Sequence, residues 1–174
     1  MSKPLSLSHG DWNKMVGSFH TESDRGAAVL AGGYVEHALG SFLRALAAQP
    51  TVVDELFAPM GPLSSFSQRT AVAFAFGFIT KSHYDDLTAI RRIRNHFAHH
   101  PLDATFETDK VALAVATLST INLCDRSKSL TEREHNRIAY LLACGLFSGW
   151  AYQSILARQK SPSDVLASPN PENA

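Results

Sequence analysis

Tyr84-Asp85-Asp86-Leu87-Thr88-Ala89-Ile90-Arg91-Arg92-Ile93-Arg94-Asn95-His96-Phe97-Ala98-His99-His100 reads as one amphipathic helix, and it decides the class of fold. Tyr84, Leu87, Ile90, Ile93 and Phe97 recur at three- and four-residue steps, the spacing of a stripe that faces a core. At 100° per residue Arg94 falls inside that stripe. Its guanidinium has to be paired, because burying an unpaired charge is strongly unfavourable. Asn95 and His99 lie on the adjoining edge, one turn apart. The helix must end before Pro101, since the residue preceding a proline is pushed out of helical geometry.

Working outward, the chain reads as almost wholly helical, with Gly and Pro marking the breaks and few strand signals. Asp11 to Phe19 is a short helix candidate. Thr21-Glu22-Ser23-Asp24 supplies capping oxygens and first-turn acids for a long helix reaching about Ala47, which Pro50 closes. Thr51 is the expected cap of a short helix through Phe57. Ser67 to Ile79 reads as a nearly all-apolar central helix, with Phe74, Phe76 and Phe78 as core residues. Ser82 is the expected cap of the helix that carries Arg94. Thr108 or Asp109 opens another, running to about Asn122, and Thr131-Glu132-Arg133-Glu134 is a capping-box pattern that starts the last, to about Arg158. The expectation is an all-α, single-domain antiparallel helical bundle at 21–160, with an N-terminal arm carrying a short helix at 1–20 and a disordered tail at 161–174.

A chain of 174 residues, 45% of them hydrophobic, suffices for one continuous core. Sixteen basic residues balance sixteen acidic ones, so no global field draws the protein to a polyanion. Positive charge is concentrated only at Arg91, Arg92 and Arg94, beside His96, His99 and His100. Two cysteines, Cys124 and Cys144, are too few for a disulfide framework and read as reduced, buried thiols. The first ten residues lack the charged start and apolar run of a signal peptide, and no uninterrupted apolar stretch approaches the roughly 20 residues that cross a bilayer. A cytoplasmic protein without a membrane contact is the expectation.

The long helix carries Ala28, Ala31, Val35, Leu39, Phe42 and Leu46 on its apolar face, and Asp24 projects from that face one turn earlier. Asp24, or failing that Glu22, is therefore the expected carboxylate for Arg94. The competing reading is that both acids only complement the helix N-terminus. Gly26, Gly32, Gly33 and Gly40 weaken a helix, and their number points to a close helix approach or an interface. His96 and His100 have the four-residue spacing of paired metal ligands, but no third ligand accompanies them, so no metal and no cofactor are expected.

Glu22-Ser23-Asp24-Arg25-Gly26-Ala27-Ala28, Gly61-Pro62-Leu63 with Phe66-Ser67 and Arg69, Gly77-Phe78-Ile79, and Tyr84 to Leu87 running into Ile90 to His99 together resemble the mannitol operon repressor (MtlR-like) family. The resemblance covers roughly Glu22 to His99. It implies an all-helical regulator of the transcriptional repressor class, acting on a mannitol or other sugar operon mainly through protein contacts. No helix-turn-helix with a basic reading helix is found here, so direct DNA binding is not expected. The same segment is similar to the HEPN superfamily, whose ribonuclease members carry Arg-Asn-x-x-x-His. Arg94, Asn95 and His99 fit that pattern. This likeness implies an alternative, a metal-independent endoribonuclease in which His99 takes the 2′-OH proton and Arg94 holds the phosphate. A third reading is a non-catalytic dimeric scaffold. Expected binding residues are Glu22, Asp24, Arg25, Arg91, Arg92, His96 and His100. The expected partners are a second copy in a homodimer and a further protein, with RNA entering only under the nuclease reading.

Overall fold

The computed structural model describes residues 17–124 and 130–160, and helices account for most of them. A short helix at 17–21, α1, precedes α2, Asp24–Leu46. Then come α3, Pro50–Phe57; α4, Phe66–Ala75; α5, Lys81–His99; α6, Asp109–Val115; a 3-10 turn at Ser119–Asn122; and α7, Glu132–Lys160. The all-helical expectation holds. Residues 11–16 of the first helix candidate and the tail at 161–174 lie outside the described residues.

Local chemistry sets the boundaries. Ser23 caps α2 through its hydroxyl, which accepts from Gly26 N at 3.1 Å. Thr131 and Glu134 form the expected capping box at the start of α7: Thr131 N and Oγ1 donate to the Glu134 carboxylate at 2.8 Å, and Glu134 N donates back to Thr131 Oγ1. Those bonds hold the Glu134 carboxyl below its ordinary pKa. Two caps and one helix end differ from expectation. Thr80, not Ser82, caps α5. Gln49 takes the N-cap position of α3, where Pro50 is among the first helical residues and so opens that helix. The helix expected to reach Asn122 stops at Val115 and resumes as the 3-10 turn.

α2 and α7 form the centre and run parallel: Asp24 meets Arg137, Tyr140 Oη donates to Ala28 O at 2.7 Å, and Phe42 packs on Trp150 with ring centroids 4.9 Å apart. α5 lies against α2 with Leu87, Ile90, Ile93 and Phe97 fully buried, as its stripe demands. By length and mean hydropathy α7 could cross a bilayer. Much of that apolar surface packs against α2, where Ala139, Tyr140, Ala143, Phe147 and Ala151 are buried.

α4 is not the central helix. Phe76 is 70% exposed, and Phe74 and Phe78 are 37% and 41% exposed. The helix ends at Ala75, and Gly77, at φ +69°, turns the chain in a conformation glycine adopts without strain. Past that turn the apolar run no longer has one helical face, and only Ile79 returns to the core.

Two buried polar contacts tie the shorter elements down. Asp86 accepts from Ser119 N at 2.8 Å and Ser119 Oγ at 2.6 Å, which fixes the 3-10 turn to α5. Thr120 Oγ1 donates to Ala139 O at 2.8 Å. Both cysteines are buried and free. Burial raises Cys144 to about 12. Because the thiolate is the reactive form, Cys144 is expected to resist a thiol reagent at pH 8 in native protein and to react promptly in denaturant.

His83 packs against Trp150, centroids 4.4 Å apart, and Nδ1 is buried with no hydrogen-bond partner. Burial lowers its pKa, and nearby Asp86 offsets this only in part. The neutral imidazole is therefore the folded form, and the unfolded chain takes up the proton more readily. This contribution to stability is complete above the unfolded pKa near 6.5 and is lost as pH falls from there through the folded pKa. In His83→Phe the acid-side fall in melting temperature between pH 7 and pH 5 is expected to be shallower than in the parent.

Candidate functional site

Arg94 turns inward, as its place in the stripe requires, and meets a carboxylate from α2. That carboxylate is Glu36, three turns beyond the expected Asp24. Arg94 Nη2 donates to Glu36 Oε2, and Nη1 donates to Asn95 Oδ1 at 3.1 Å. Arg69 of α4 approaches the same carboxylate from the other side, Nη1 to Oε1 3.8 Å. The three side chains keep roughly a sixth to a quarter of their surface exposed. The result is a partly open triad of one carboxylate and two guanidinia, where α2, α4 and α5 meet.

The backbone of α2 makes this possible. Gly32, Glu36 and Gly40 stand four residues apart on one face of the helix. A Cβ on Gly32 would lie 2.8 Å from Arg94 Cβ and 2.7 Å from Tyr140 Oη, and one on Gly40 would lie 3.3 Å from Arg69 Nη1. The glycines therefore make room for the two arginines that flank Glu36. The close helix approach expected from the glycine content is found at these two positions. At Gly33 a Cβ would meet nothing within 4 Å.

Arg69 also clamps the loop before its own helix: Nε donates to Leu63 O at 2.7 Å and Nη2 to Ser64 O at 3.2 Å. Its guanidinium lies over the Phe57 ring, 4.9 Å from the centroid. Burial lowers its pKa, Glu36 opposes the shift, and Arg44 adds to it. Arg94 Nε is buried without a partner. With two cations against one anion, the triad carries a net positive charge. Glu36→Ala leaves both guanidinia without their carboxylate in a half-buried setting, and a loss of about 2 kcal/mol in urea unfolding is expected, less than for a fully enclosed pair.

Asp24 instead organises the opposite polar centre. Only 5% exposed, it accepts from Arg137 Nη1 at 2.8 Å, Arg133 Nε at 2.8 Å and Phe106 N at 3.2 Å. Arg137 Nη2 also donates to the carbonyls of Phe19, His20 and Glu22. Asp24 thus joins α2 to α7 and to the segment after α5, and the expectation of an Asp24–Arg94 pair is corrected. Glu22 is exposed in the turn between α1 and α2, where its backbone, not its carboxylate, meets Arg137.

The other expected site residues sit on the surface of α5 or close to its end. Arg92, His99 and His100 are exposed, Arg91 and His96 are half-buried, and Arg25 is exposed on the first turn of α2. The His96 and His100 rings stack with centroids 4.4 Å apart. His96 is held below the ordinary histidine pKa by burial first, then by His100 and Lys110. Among the described residues, no group of three or more His, Cys, Asp or Glu could hold a metal ion. No hydrogen bond joins His99 to Arg94 or Asn95, whose side chains bond to Glu36 and to each other. Glu36 and Arg137 carry no expectation from the sequence, while Arg69 enters there only through the family resemblance and Arg133 only as part of the capping pattern. The Gly32-Glu36-Gly40 spacing was the available signal for the first.

The family described as Mannitol repressor matches residues 42–159. Two solved structures share the fold. One is the X-ray structure of the MtlR–HPr complex from Escherichia coli, 14% identical, with a TM-score of 0.65 over 80% of this chain and 97% of that one. The other is the crystal structure of a possible transcriptional regulator, YggD, from Shigella flexneri, 15% identical, with a TM-score of 0.66 over 84% and 99% of the two chains. No curated protein matches the sequence. The family match spans more than half of the chain and includes α5 and all but the last residue of α7, so the protein belongs to the mannitol repressor family.

Proposed function

We propose that this protein is a regulator of the mannitol repressor type that acts through contacts with another protein, working in the cytoplasm as a homodimer, with any effect on DNA indirect. The observation that carries this reading is the state of α5. Its most basic stretch is also its core face, with Leu87, Ile90, Ile93 and Phe97 buried and Arg94 held by Glu36, so the helix is not free to lie in a DNA groove. The zero net charge argues the same way. The contact face is the outer side of α5, Arg91, Arg92, His96 and His100, with Glu22 and Arg25 at the same end of the bundle, since Asp24 binds Phe106 N just beyond α5. The E. coli relative was solved in complex with the protein HPr, and an HPr-type protein is the first partner to test.

Titration calorimetry of the purified chain with HPr, and with duplex DNA at the same ionic strength, tests the reading. Saturable binding to HPr, weakened at least tenfold in Arg91→Glu/Arg92→Glu, is expected, with only weak, salt-sensitive DNA binding. The ribonuclease reading makes a separate demand. Cleavage of single-stranded RNA in the presence of a chelator, abolished in both Arg94→Ala and His99→Ala while each remains folded, would replace the regulator with an enzyme.

A further inference from the structure

Phe74-Ala75-Phe76-Gly77-Phe78, at the bend between α4 and α5, are consecutive exposed residues with no polar side chain among them. Such a run in water is unfavourable unless a contact uses it. Phe76 and Phe78 stack with ring centroids 6.0 Å apart, and Phe74 packs on Tyr84 at 4.7 Å.

The bend is held by its own hydrogen bonds. Phe78 N donates to Ala73 O at 2.8 Å and Gly77 N to Phe74 O at 3.0 Å, with Gly77 at positive φ. This pattern closes a helix through a left-handed glycine, and the residue after the glycine commonly packs back on the helix. Here Phe78 stacks on Phe76 instead and stays 41% exposed. The rings are thus in place before any partner arrives, so little side-chain freedom is lost when they are covered.

Charge points to what covers them. A two-fold contact sets a patch against its own copy, so an excess of one sign opposes it. The outer side of α5, with Arg91, Arg92, His96 and His100, is of one sign and unsuited to such a contact. The charged pair beside the aromatic run is neutral as a whole: Lys81 Nζ donates to Asp85 Oδ2 at 2.6 Å and lies 5.7 Å from the Tyr84 ring centroid. That pair gives an anionic membrane or a nucleic acid no excess of cations. Tyr84 and His96 are about 18 Å apart along α5, so a second copy at the aromatic run leaves the basic face open. The three phenylalanines expose about 300 Å² between them. With a polar rim, a contact of about 600 Å² per partner is the low end for a specific dimer.

We propose that Phe74, Phe76 and Phe78 form the apolar centre of a two-fold interface between two copies of this chain, with Lys81 and Asp85 on its rim. The proposal rests on the homodimer of the preceding reading and names its face. Both basic faces of α5 lie outside that interface, each free for a further protein.

Sedimentation equilibrium of the full chain is expected to show monomer and dimer in exchange, with a dissociation constant on the order of 10 µM for so small a contact. Phe76→Asp/Phe78→Asp is expected to weaken association at least tenfold with the far-ultraviolet spectrum unchanged, and Arg91→Glu/Arg92→Glu to leave it unaltered. A dimer of undiminished strength in the phenylalanine variant overturns the proposal while the homodimer survives, and its loss in Leu146→Asp instead would place the interface on α7. A parent still monomeric at about 200 µM overturns this interface and the homodimer together, while the HPr titration stands or falls by itself. Binding of that monomer to neutral phosphatidylcholine vesicles, lost in the phenylalanine variant, would then assign the run to a bilayer. Should the double variant not fold, Phe76→Ser, at a position with 70% of its surface in solvent, decides by the same measurement.

Discussion

Asp24→Ala is expected to lower the free energy of unfolding by about 3 kcal/mol, with no change in the urea m-value. The carboxylate is buried and accepts three hydrogen bonds. Its loss leaves Arg137, 17% exposed, without its anion and the buried Phe106 N–H without an acceptor. Either group alone costs about 1–3 kcal/mol when unsatisfied. The carbonyls of Phe19, His20 and Glu22 remain for Arg137, which keeps the total below the upper end of the range. Arg133 is half exposed, so Arg133→Ala should cost well under 1 kcal/mol. Were Asp24 acting only on the helix dipole, its removal would cost about 0.3–1 kcal/mol. Chemical denaturation of the two variants separates these accounts.

Gly32→Ala is expected to destabilise by about 2–3 kcal/mol, although alanine is the better helix former by nearly 1 kcal/mol. The new methyl would sit 2.7 Å from Tyr140 Oη, 2.8 Å from Arg94 Cβ and 2.9 Å from Arg94 Cγ. None of these is a free side-chain end. Tyr140 is fully buried and hydrogen-bonded to Ala28 O, and Arg94 Cβ is held by the backbone of α5. To accept the methyl, α2 would have to move away from both α5 and α7. Gly33→Ala, one residue along and facing open space, is the control, and there the helix-propensity gain should appear as a small stabilisation. Thermal melts of the pair give opposite signs if the packing argument holds.

Much of the architecture could be read from local pattern. The α5 stripe, the Ser23 cap, the Thr131–Glu134 capping box and the end of α5 before Pro101 depend on residues within a turn or two of each other, and each is found. The apolar run at Phe74, Phe76 and Phe78 failed because hydrophobicity alone does not show where a helix stops. Gly77 turns the chain there, and these aromatics pack on their neighbours at the surface, Phe74 on Tyr84 and Phe76 on Phe78.

The candidate site divides along the same line. That Arg94 points inward and requires an acid follows from helical periodicity and the cost of an unpaired buried charge, both of which are local. Which acid it meets does not follow. Asp24 and Glu36 both stand on α2, twelve residues and about 120° of helical rotation apart, and the sequence does not say which of those faces of α2 meets α5 or which acid lies level with Arg94. The axial offset between α2 and α5 is set by the packing of all their apolar residues together with α7. That packing brings Gly32 against Arg94 and leaves Asp24 beside Arg137. The helical periods, caps and the demand for pairing belong to the sequence alone. The choice of partners belongs to the tertiary structure, because sliding one helix along another changes every ion pair while leaving each helix's own pattern unaltered.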